Sequence, residues 1–244
     1  MQTWQAVFLG ARELSREISA FELEAFFTFS GAERHLIEQR RDPSLKLGLA
    51  LQMGFLRMSG RLLDAFRIVP GNLWRHLGAQ FNVAVPDLAS LRALYRRGNT
   101  LFEQQQLACQ ALGFRGMTEH QRRYLASMLR EELERTIDRD RLLLFARRWL
   151  YEHRLIIVHD RRLRKMIAAS VQQFETELAA SIQASVGAAL LERWRASLTA
   201  EHGSGLTVQT WLWAAPAKHS TRRDRKSTRL NSSHPRLSRM PSSA

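Results

Sequence analysis

The spacing of apolar side chains predicts helices along most of the chain. Between residues 119 and 135, apolar side chains recur at intervals of three and four, which places them on one face of a helix. Comparable spacing predicts helices over 141–153, from 161 onward and over 186–198. The apolar side of the helix that begins at 161 comprises Leu163, Ile167, Val171, Phe174, Leu178 and Ile182.

Two segments have strand-like patterns. Residues 44–59 begin with alternating positions, but their apolar run is too long for a typical strand, and Pro43 occupies a natural first position of a helix. We therefore predict a helix there. The run 155–158 is also strand-like, but no second run offers it a partner. The predicted fold class is all-α and multi-helical.

Hydroxyl and acidic residues mark the starts of several helices. In a capping box, a Ser or Thr side chain and a Glu or Gln three residues later satisfy free backbone N–H groups. The chain has three such pairs: Ser19 with Glu22, Ser30 with Glu33, and Thr118 with Gln121. Asp138 or Asp140 can cap the helix over 141–153, and Asp160 can cap the helix that begins at 161.

Residues 70–97 fit a helix-turn-helix pattern. The first helix would cover 70–80, the turn 81–86, and Asp87 would cap a second helix that ends at Arg97. Such a pair lays its second helix in the major groove of DNA. Any helical protein contains helix pairs joined by turns, so a purely structural role stays open.

The charge of the chain favours polyanionic partners. Lys and Arg number 37 against 23 Asp and Glu, a formal net charge of +14, which suits nucleic acid or an anionic membrane surface. Residues 223–244 carry +5 of this charge. This tail is rich in Ser, Arg and Pro and is predicted to be disordered. From Asp224 onward it resembles a translated sequencing adapter, so we expect it to be an artefact.

Two groups of basic residues are candidate DNA contacts. Arg161, Arg162, Arg164 and Lys165 lie at a predicted helix start, where the helix dipole disfavours cations by a few tenths of a kcal/mol each. A bound phosphate would offset this cost, although Asp160 gives partial relief without a ligand. The predicted second helix of the helix-turn-helix carries Arg92, Arg96 and Arg97. Two interpretations of these arginines stay open: contacts to DNA bases or phosphates, or a solvated helix end.

Signals of catalysis and of metal binding are weak. The chain has no H-E-x-x-H, P-loop or G-x-S-x-G motif, and its single cysteine, Cys109, fits a packed thiol. Trp74, Trp149 and Trp194 fit core positions better than base-stacking positions. No secretory signal and no apolar run of about 18 residues is present, so we expect a cytoplasmic protein without a membrane partner.

Six segments of the chain together carry a family resemblance. The longest are WQAVFLGARELSREISAFELEAFFTFSGAER (4–34), LKLGLALQMGFLRMSGRLLDAFRIVPGNLWRHL (45–77) and LRALYRRGNTLFEQQQLACQALGFRGMTEHQRRYL (91–125). Shorter ones are WLYEHRLIIVH (149–159), RWRASL (193–198) and WLWAAPAKHST (211–221). These segments resemble the N-terminal region of the Tn-three family of replicative transposon transposases, and the resemblance covers nearly all of residues 1–222.

The resemblance implies a DNA-binding fragment. In that family an RNase-H-like core with an Asp-Asp-Glu triad binds Mg²⁺ far C-terminal to these segments, and the N-terminal helices recognise the terminal inverted repeats. No catalytic residue or cofactor is therefore expected here, and double-stranded DNA is the expected partner, in association with the nucleoid. The turn before the third capping box adds candidate DNA contacts at Arg115, His120, Arg122 and Arg123.

We expect four regions along the chain. These are an N-terminal helical DNA-binding region (1–86), a second helical region (87–198), a loop with the start of a truncated segment (199–222), and the tail (223–244). The apolar stretch at 211–215 has nothing after it to pack on. It motivates an alternative function, a helical module that dimerises the transposase or docks its catalytic core.

Overall fold

Helices account for most of the fold. The computed structural model describes residues 4–64, 68–85, 87, 89, 92–93, 95, 98–202 and 205–214. Its helices are α1 (Trp4–Phe8), α2 (Ala20–Phe27), α3 (Gly31–Glu38), α4 (Pro43–Ser59), α5 (Gly71–Phe81), α6 (Gly98–Leu112), α7 (Glu119–Leu133), α8 (Arg139–Glu152), α9 (Asp160–Ser185), α10 (Ala188–Thr199) and α11 (Val208–Ala214). In the described part of the chain, the all-α prediction is confirmed except for a short antiparallel hairpin of β1 (Glu201–His202) and β2 (Leu206–Thr207).

The chain divides into two compact units, Met1–Glu177 and Leu178–Ala244. The first contains α1 to α8 and most of α9. The second contains the end of α9, α10, the hairpin and α11. The region boundaries expected from the sequence stay predictions, and one core cluster of the first unit contains residues from both sides of position 86.

Local hydrogen bonds start the helices as the sequence indicates. All three predicted capping boxes form, at Ser19, Ser30 and Thr118. Asp138 is the cap of α8, where it accepts from the backbone N–H groups of residues 140 and 141. The prediction that Asp160 caps the long helix is wrong. Asp160 is the first residue of α9, and the ring Nδ1 of His159 accepts from the N–H of Arg161 at 3.2 Å.

The first core surrounds α4. From Leu47 to Leu56 every residue of this helix is buried, because α2, α3, α5 and α6 pack around it. A helix that is covered on all sides needs no polar face, which explains why its sequence lacks a helical period. Gly54 lets the ring of Phe27 approach closely, since an added Cβ would lie 2.1 Å from Phe27 Cδ1. The helix ends at Gly60, whose φ is +69°.

The second core joins α7, α8 and the first half of α9. Leu125, Leu129 and Leu133 of α7 are buried, as their spacing predicts, and the run 155–158 closes one side. The expectation that this run lacks a partner is wrong. The N–H of Ile156 donates to the carbonyl of Arg115 at 2.9 Å, and the N–H of Ile157 donates to the carbonyl of Gly60 at 2.8 Å. Single residues from two loops thus replace a neighbouring strand.

The buried aromatic residues are largely those predicted. Trp74 and Trp149 belong to the two cores, and Cys109 is buried, which raises the pKa of its thiol. Trp194 is 47% exposed, so its assignment to a core is wrong. The apolar side of α9 is buried only as far as Val171, and Leu178 and Ile182 are exposed.

The helix-turn-helix is described only in part. Its first helix is α5, and the Asp87 carboxylate accepts from the N–H of Ala89, as expected of a cap. The rest of the predicted second helix lies largely outside the described residues, so this motif stays a prediction. Residues 215–244, which include the tail, also lie outside them. Within the predicted loop 199–210, the structure forms the hairpin and begins α11.

The capping box of α3 also ties α3 to α4. Glu33 accepts from the N–H of Ser30 at 2.8 Å and from Arg57 Nη2 at 2.5 Å. Partial burial opposes ionisation of Glu33, but the Ser30 hydrogen bonds and the Arg57 charge outweigh it and lower the pKa of Glu33 below its ordinary value of 4.5. The stability that Glu33 contributes is therefore present above pH 4.5 and is lost as the pH falls through the lowered pKa.

We expect Glu33→Gln to reduce the free energy of unfolding at pH 7 by about 1–2 kcal/mol, because the ion pair with Arg57 is lost. The capping box itself should survive, since a Gln completes the box of α7 at Gln121. Urea unfolding followed by circular dichroism measures the loss. Glu22→Gln is the matched control, since Glu22 completes the box of α2 without an ion pair among the described residues. Its loss should be smaller. Equal losses for the two variants, or a Glu33→Gln loss that persists at pH 3, would contradict the assignment.

Candidate nucleic-acid interface

Three arginines surround one carboxylate at the start of α9. Arg147 Nη2 lies 2.9 Å from Asp160 Oδ2, whereas Arg12 Nη2 lies 3.7 Å from Oδ2 and Arg61 Nη1 lies 3.8 Å from Oδ1. These arginines come from the loop after α1, the turn after α4, and α8. We name Arg12, Arg61, Arg147 and Asp160 the Asp160 cluster.

The Asp160 cluster is partly removed from water. The side chain of Arg61 is 11% exposed, and this burial lowers the pKa of Arg61. The charges of Asp160 and of the exposed Asp64 oppose that effect, while Arg12 and Arg147 add to it. Three cations therefore share two anions, and the cluster keeps a positive charge.

A second carboxylate with several arginine neighbours, Glu119, lies at the start of α7, and its side chain is exposed. Glu119 accepts from Arg122 Nε at 2.7 Å, and Arg123 Nε lies 3.7 Å from it. The hydrogen bond from Arg122 lowers the pKa of Glu119, and the charges of Arg122, Arg123 and Arg162 lower it further. Arg162 is on α9, so a charge at the start of α9 acts on a carboxylate at the start of α7. We name Glu119, Arg122, Arg123 and Arg162 the Glu119 cluster.

The first two turns of α9 present cations to solvent. Arg161, Arg162, Arg164 and Lys165 are exposed, whereas Leu163 between them is buried. Arg164 lies 3.3 Å from Asp140. For the other three, the described residues provide no carboxylate within 4 Å. The group predicted from the sequence is thus a solvent-facing one, and it carries surplus positive charge.

Sequence reasoning missed four arginines near this region. Three of them, Arg12, Arg61 and Arg147, complete the Asp160 cluster. The fourth is Arg154, whose carbonyl accepts a hydrogen bond from the N–H of Arg115 at 2.9 Å. Arg154 has a φ of +54° and is exposed. The sequence marks the position of Arg61, because Arg61 directly follows Gly60, the glycine that ends α4. Arg147 is one of a pair with Arg148, whereas nothing local marks Arg12 or Arg154.

The structure brings together most, but not all, of the predicted contacts. We name the Asp160 cluster, the Glu119 cluster and the first two turns of α9 the α9 basic surface. His120 is exposed in the first turn of α7, beside Glu119, and Arg115 is exposed three residues before the Thr118 cap. Arg92 is exposed. Arg96 and Arg97 lie outside the described residues.

Most of the chain matches the model of a known protein family. Residues 10–170 match the family model named Domain of unknown function (DUF4158). The chain belongs to the DUF4158 family. The matched range contains every residue of the α9 basic surface, and it contains the buried residues of both cores except Leu9 and Val171.

A curated relative adds a functional name. The chain is 59% identical over 222 residues to the transposase for insertion sequence element IS1071 in transposon Tn5271 from Comamonas testosteroni. The match covers 91% of this chain but 23% of that transposase. The more specific resemblance to the Tn-three family, and the truncation of the chain, stay predictions.

The described residues contain no group of three or more His, Cys, Asp or Glu side chains arranged to hold a metal ion. Within the same part of the chain, every helix is too short or too polar to cross a membrane.

We expect Asp160→Asn to reduce the free energy of unfolding by about 2 kcal/mol, because it leaves the buried guanidinium of Arg61 and that of Arg147 without their shared carboxylate. Asp140→Asn is the matched control, since Asp140 also lies in the first turn of a helix and pairs with an arginine, but its side chain is 83% exposed. Its loss should stay below about 1 kcal/mol. Urea unfolding measures both, and equal losses would show that Asp160 does not hold the cluster together.

Proposed function

We propose that this DUF4158 chain is a DNA-binding part of a transposase and that it recognises the terminal inverted repeats of a transposon. The observation that carries the proposal is the α9 basic surface, where arginines from five separate parts of the chain lie near two carboxylates. The transposase relative supplies the biological context.

The charge balance of this surface suits a phosphate backbone. Asp160 and Glu119 each hold several arginines in place but neutralise only one charge each. The exposed cations at the start of α9 add to the surplus. Lys and Arg side chains that neutralise phosphates release condensed counterions, so such binding weakens steeply with salt.

The starts of α7 and α9 support the same function. A helix start carries a partial positive charge, and cations placed there are destabilised unless an anion is near. Here Arg122, Arg123, Arg161 and Arg162 all lie within the first turns. A DNA phosphate close to both starts would offset this repulsion for the two helices together.

The chemistry proposed for these residues is binding alone. A Mg²⁺ site of the kind used for strand transfer needs several converging carboxylates. In the described residues, Asp160 and Glu119 are surrounded by arginines and do not converge with other acids. We therefore assign no catalytic step to this part of the chain.

The second unit favours an additional candidate function, self-association. Its described residues expose several large apolar side chains, and no residue of α10 is buried. The exposed set is Leu178, Ile182, Leu190, Trp194, Leu198, Leu206, Trp211, Leu212 and Trp213, the last being 86% exposed. Exposed apolar surface of this kind marks contact sites.

For self-association, we expect sedimentation velocity of the full chain to show a mass that rises with concentration. Trp194→Ser should reduce the association, because it removes a large apolar group from a solvent-facing helix. The control is Ser197→Ala on the same helix, which leaves the apolar residues in place. A monomer at all concentrations, with and without DNA, would exclude this second candidate.

For DNA binding, we expect the full chain to bind an inverted-repeat duplex more tightly than a shuffled duplex of the same composition. Fluorescence anisotropy across a series of salt concentrations measures both affinity and salt slope. Arg162→Gln should weaken binding and reduce the magnitude of the slope of log K against log[salt] by about 0.9, the value for one phosphate contact.

Arg41→Gln is the matched control for this measurement. Arg41 is exposed just before α4, at the end of that helix opposite to Gly60 and Arg61, roughly 25 Å away for a helix of its length. Its replacement should leave the slope unchanged. Equal affinity for the two duplexes would leave nonspecific adhesion only, and a slope unaffected by Arg162→Gln would remove the α9 basic surface from the interface.

A further inference from the structure

We propose that Arg12 and Arg61 together bind one phosphate group of the DNA backbone. This inference rests on the proposed function and makes it more specific, because it names two contacts outside every basic run of the sequence. The ligand is a phosphodiester of the duplex, and Arg147 and Asp160 form the structural side of the site.

The distances within the Asp160 cluster leave two guanidinium groups open. Arg147 is at hydrogen-bonding distance from Asp160, whereas the nitrogen–oxygen distances of Arg12 and Arg61 are 3.7 and 3.8 Å. Their remaining contacts are also long: Arg12 Nη2 lies 3.5 Å from His159 Nδ1, and Arg61 Nη1 lies 3.5 Å from the carbonyl of Gly10. Charge-assisted hydrogen bonds to a phosphate are about 2.7–2.9 Å long, so both groups have unused donor capacity.

Burial separates the roles of the two arginines. Arg61 is almost covered, with 11% of its side chain exposed, whereas Arg12 is 52% exposed. Arg12 therefore lies at the boundary with solvent and Arg61 behind it. A phosphate that contacts Arg12 from solvent would bring an anion to a buried cation, whose pKa is lowered by burial and by its neighbouring arginines.

The backbone holds the two arginines on adjacent turns. The N–H of Gly10 donates to the carbonyl of Ser59 at 2.8 Å, and the N–H of Arg61 donates to Ser59 Oγ at 3.1 Å. Gly10 has a φ of +82°, and an added Cβ would lie 2.6 Å from Arg147 Nε. Because both turns are fixed to the same serine, little ordering is needed when the anion binds.

The charges near the site leave room for one anion. Arg12, Arg61 and Arg147 face Asp160, with which Arg147 is paired, and the exposed Asp64 acts on Arg61. Arg161 follows directly on α9 and has no carboxylate within 4 Å among the described residues. These four arginines and two carboxylates leave a surplus of positive charge, and the single negative charge of a phosphodiester neutralises part of it.

The test compares the salt slope of DNA binding among variants of the full chain. We expect Arg12→Gln to reduce the magnitude of the slope by about 0.9, and Arg61→Gln to do the same. The magnitude of the slope should also fall by about 0.9 in the double variant, because both residues contact the same phosphate. Arg41→Gln should lose nothing. A double variant that loses about 1.8 would assign two phosphates and overturn the proposal of a shared one.

Inorganic phosphate provides a second readout that does not depend on DNA. At constant ionic strength, phosphate should raise the Tm of the wild-type chain but not that of Arg12→Gln, whose exposed position makes misfolding a minor concern. Circular dichroism confirms the fold of each variant. If phosphate raises the Tm of both equally, the site does not bind phosphate and the inference fails.

The two readouts separate failure of the site from failure of the function. If the wild-type chain binds DNA and Arg12→Gln retains the full slope, the inference is overturned while the proposed function stands. If phosphate acts through Arg12 but no duplex is bound, the proposed function fails and the ligand is a free phosphate group. That result also overturns the assignment to a DNA backbone.

Discussion

The first unit depends on the attraction between Asp160 and the three arginines that reach it from distant parts of the chain. One carboxylate at the start of α9 pairs closely with Arg147 of α8 and, at longer distance, attracts Arg12 of the loop after α1 and Arg61 of the turn after α4. Since the cations outnumber the anions, the same arrangement that holds the fold together also concentrates positive charge. Asp160 thus contributes to stability while leaving a surface that attracts polyanions.

Glu119 also has several arginine neighbours, and the packing of α7 and α9 determines where these arginines lie. Arg122 and Arg123 lie one turn along α7 from Glu119. The charge of Arg162, on α9, also lowers the pKa of Glu119. The second core sets the positions of both helices through Leu125, Leu129 and Leu163. Apolar packing on one side of α7 and α9 therefore determines where the cations stand on the other, and the proposed DNA contact follows from that geometry.

Local signals in the sequence predicted much of the fold. The capping boxes at Ser19, Ser30 and Thr118 form because each needs only residues three apart. Asp160 fits an N-cap locally, yet long-range arginines hold its carboxylate and His159 takes over the capping bond. The exposed cations of α9 were predictable from their run, whereas Arg12 and Arg61 were not, because they meet α9 across about 100 residues or more of sequence.

Hydrogen exchange of the full chain with and without an inverted-repeat duplex tests the central claim most directly. The account predicts DNA-dependent protection of backbone amides over 118–123 and 159–165, with no change over 31–41 at the far end of α4. Protection confined to residues outside the α9 basic surface, or identical protection by a shuffled duplex at physiological salt, would contradict it.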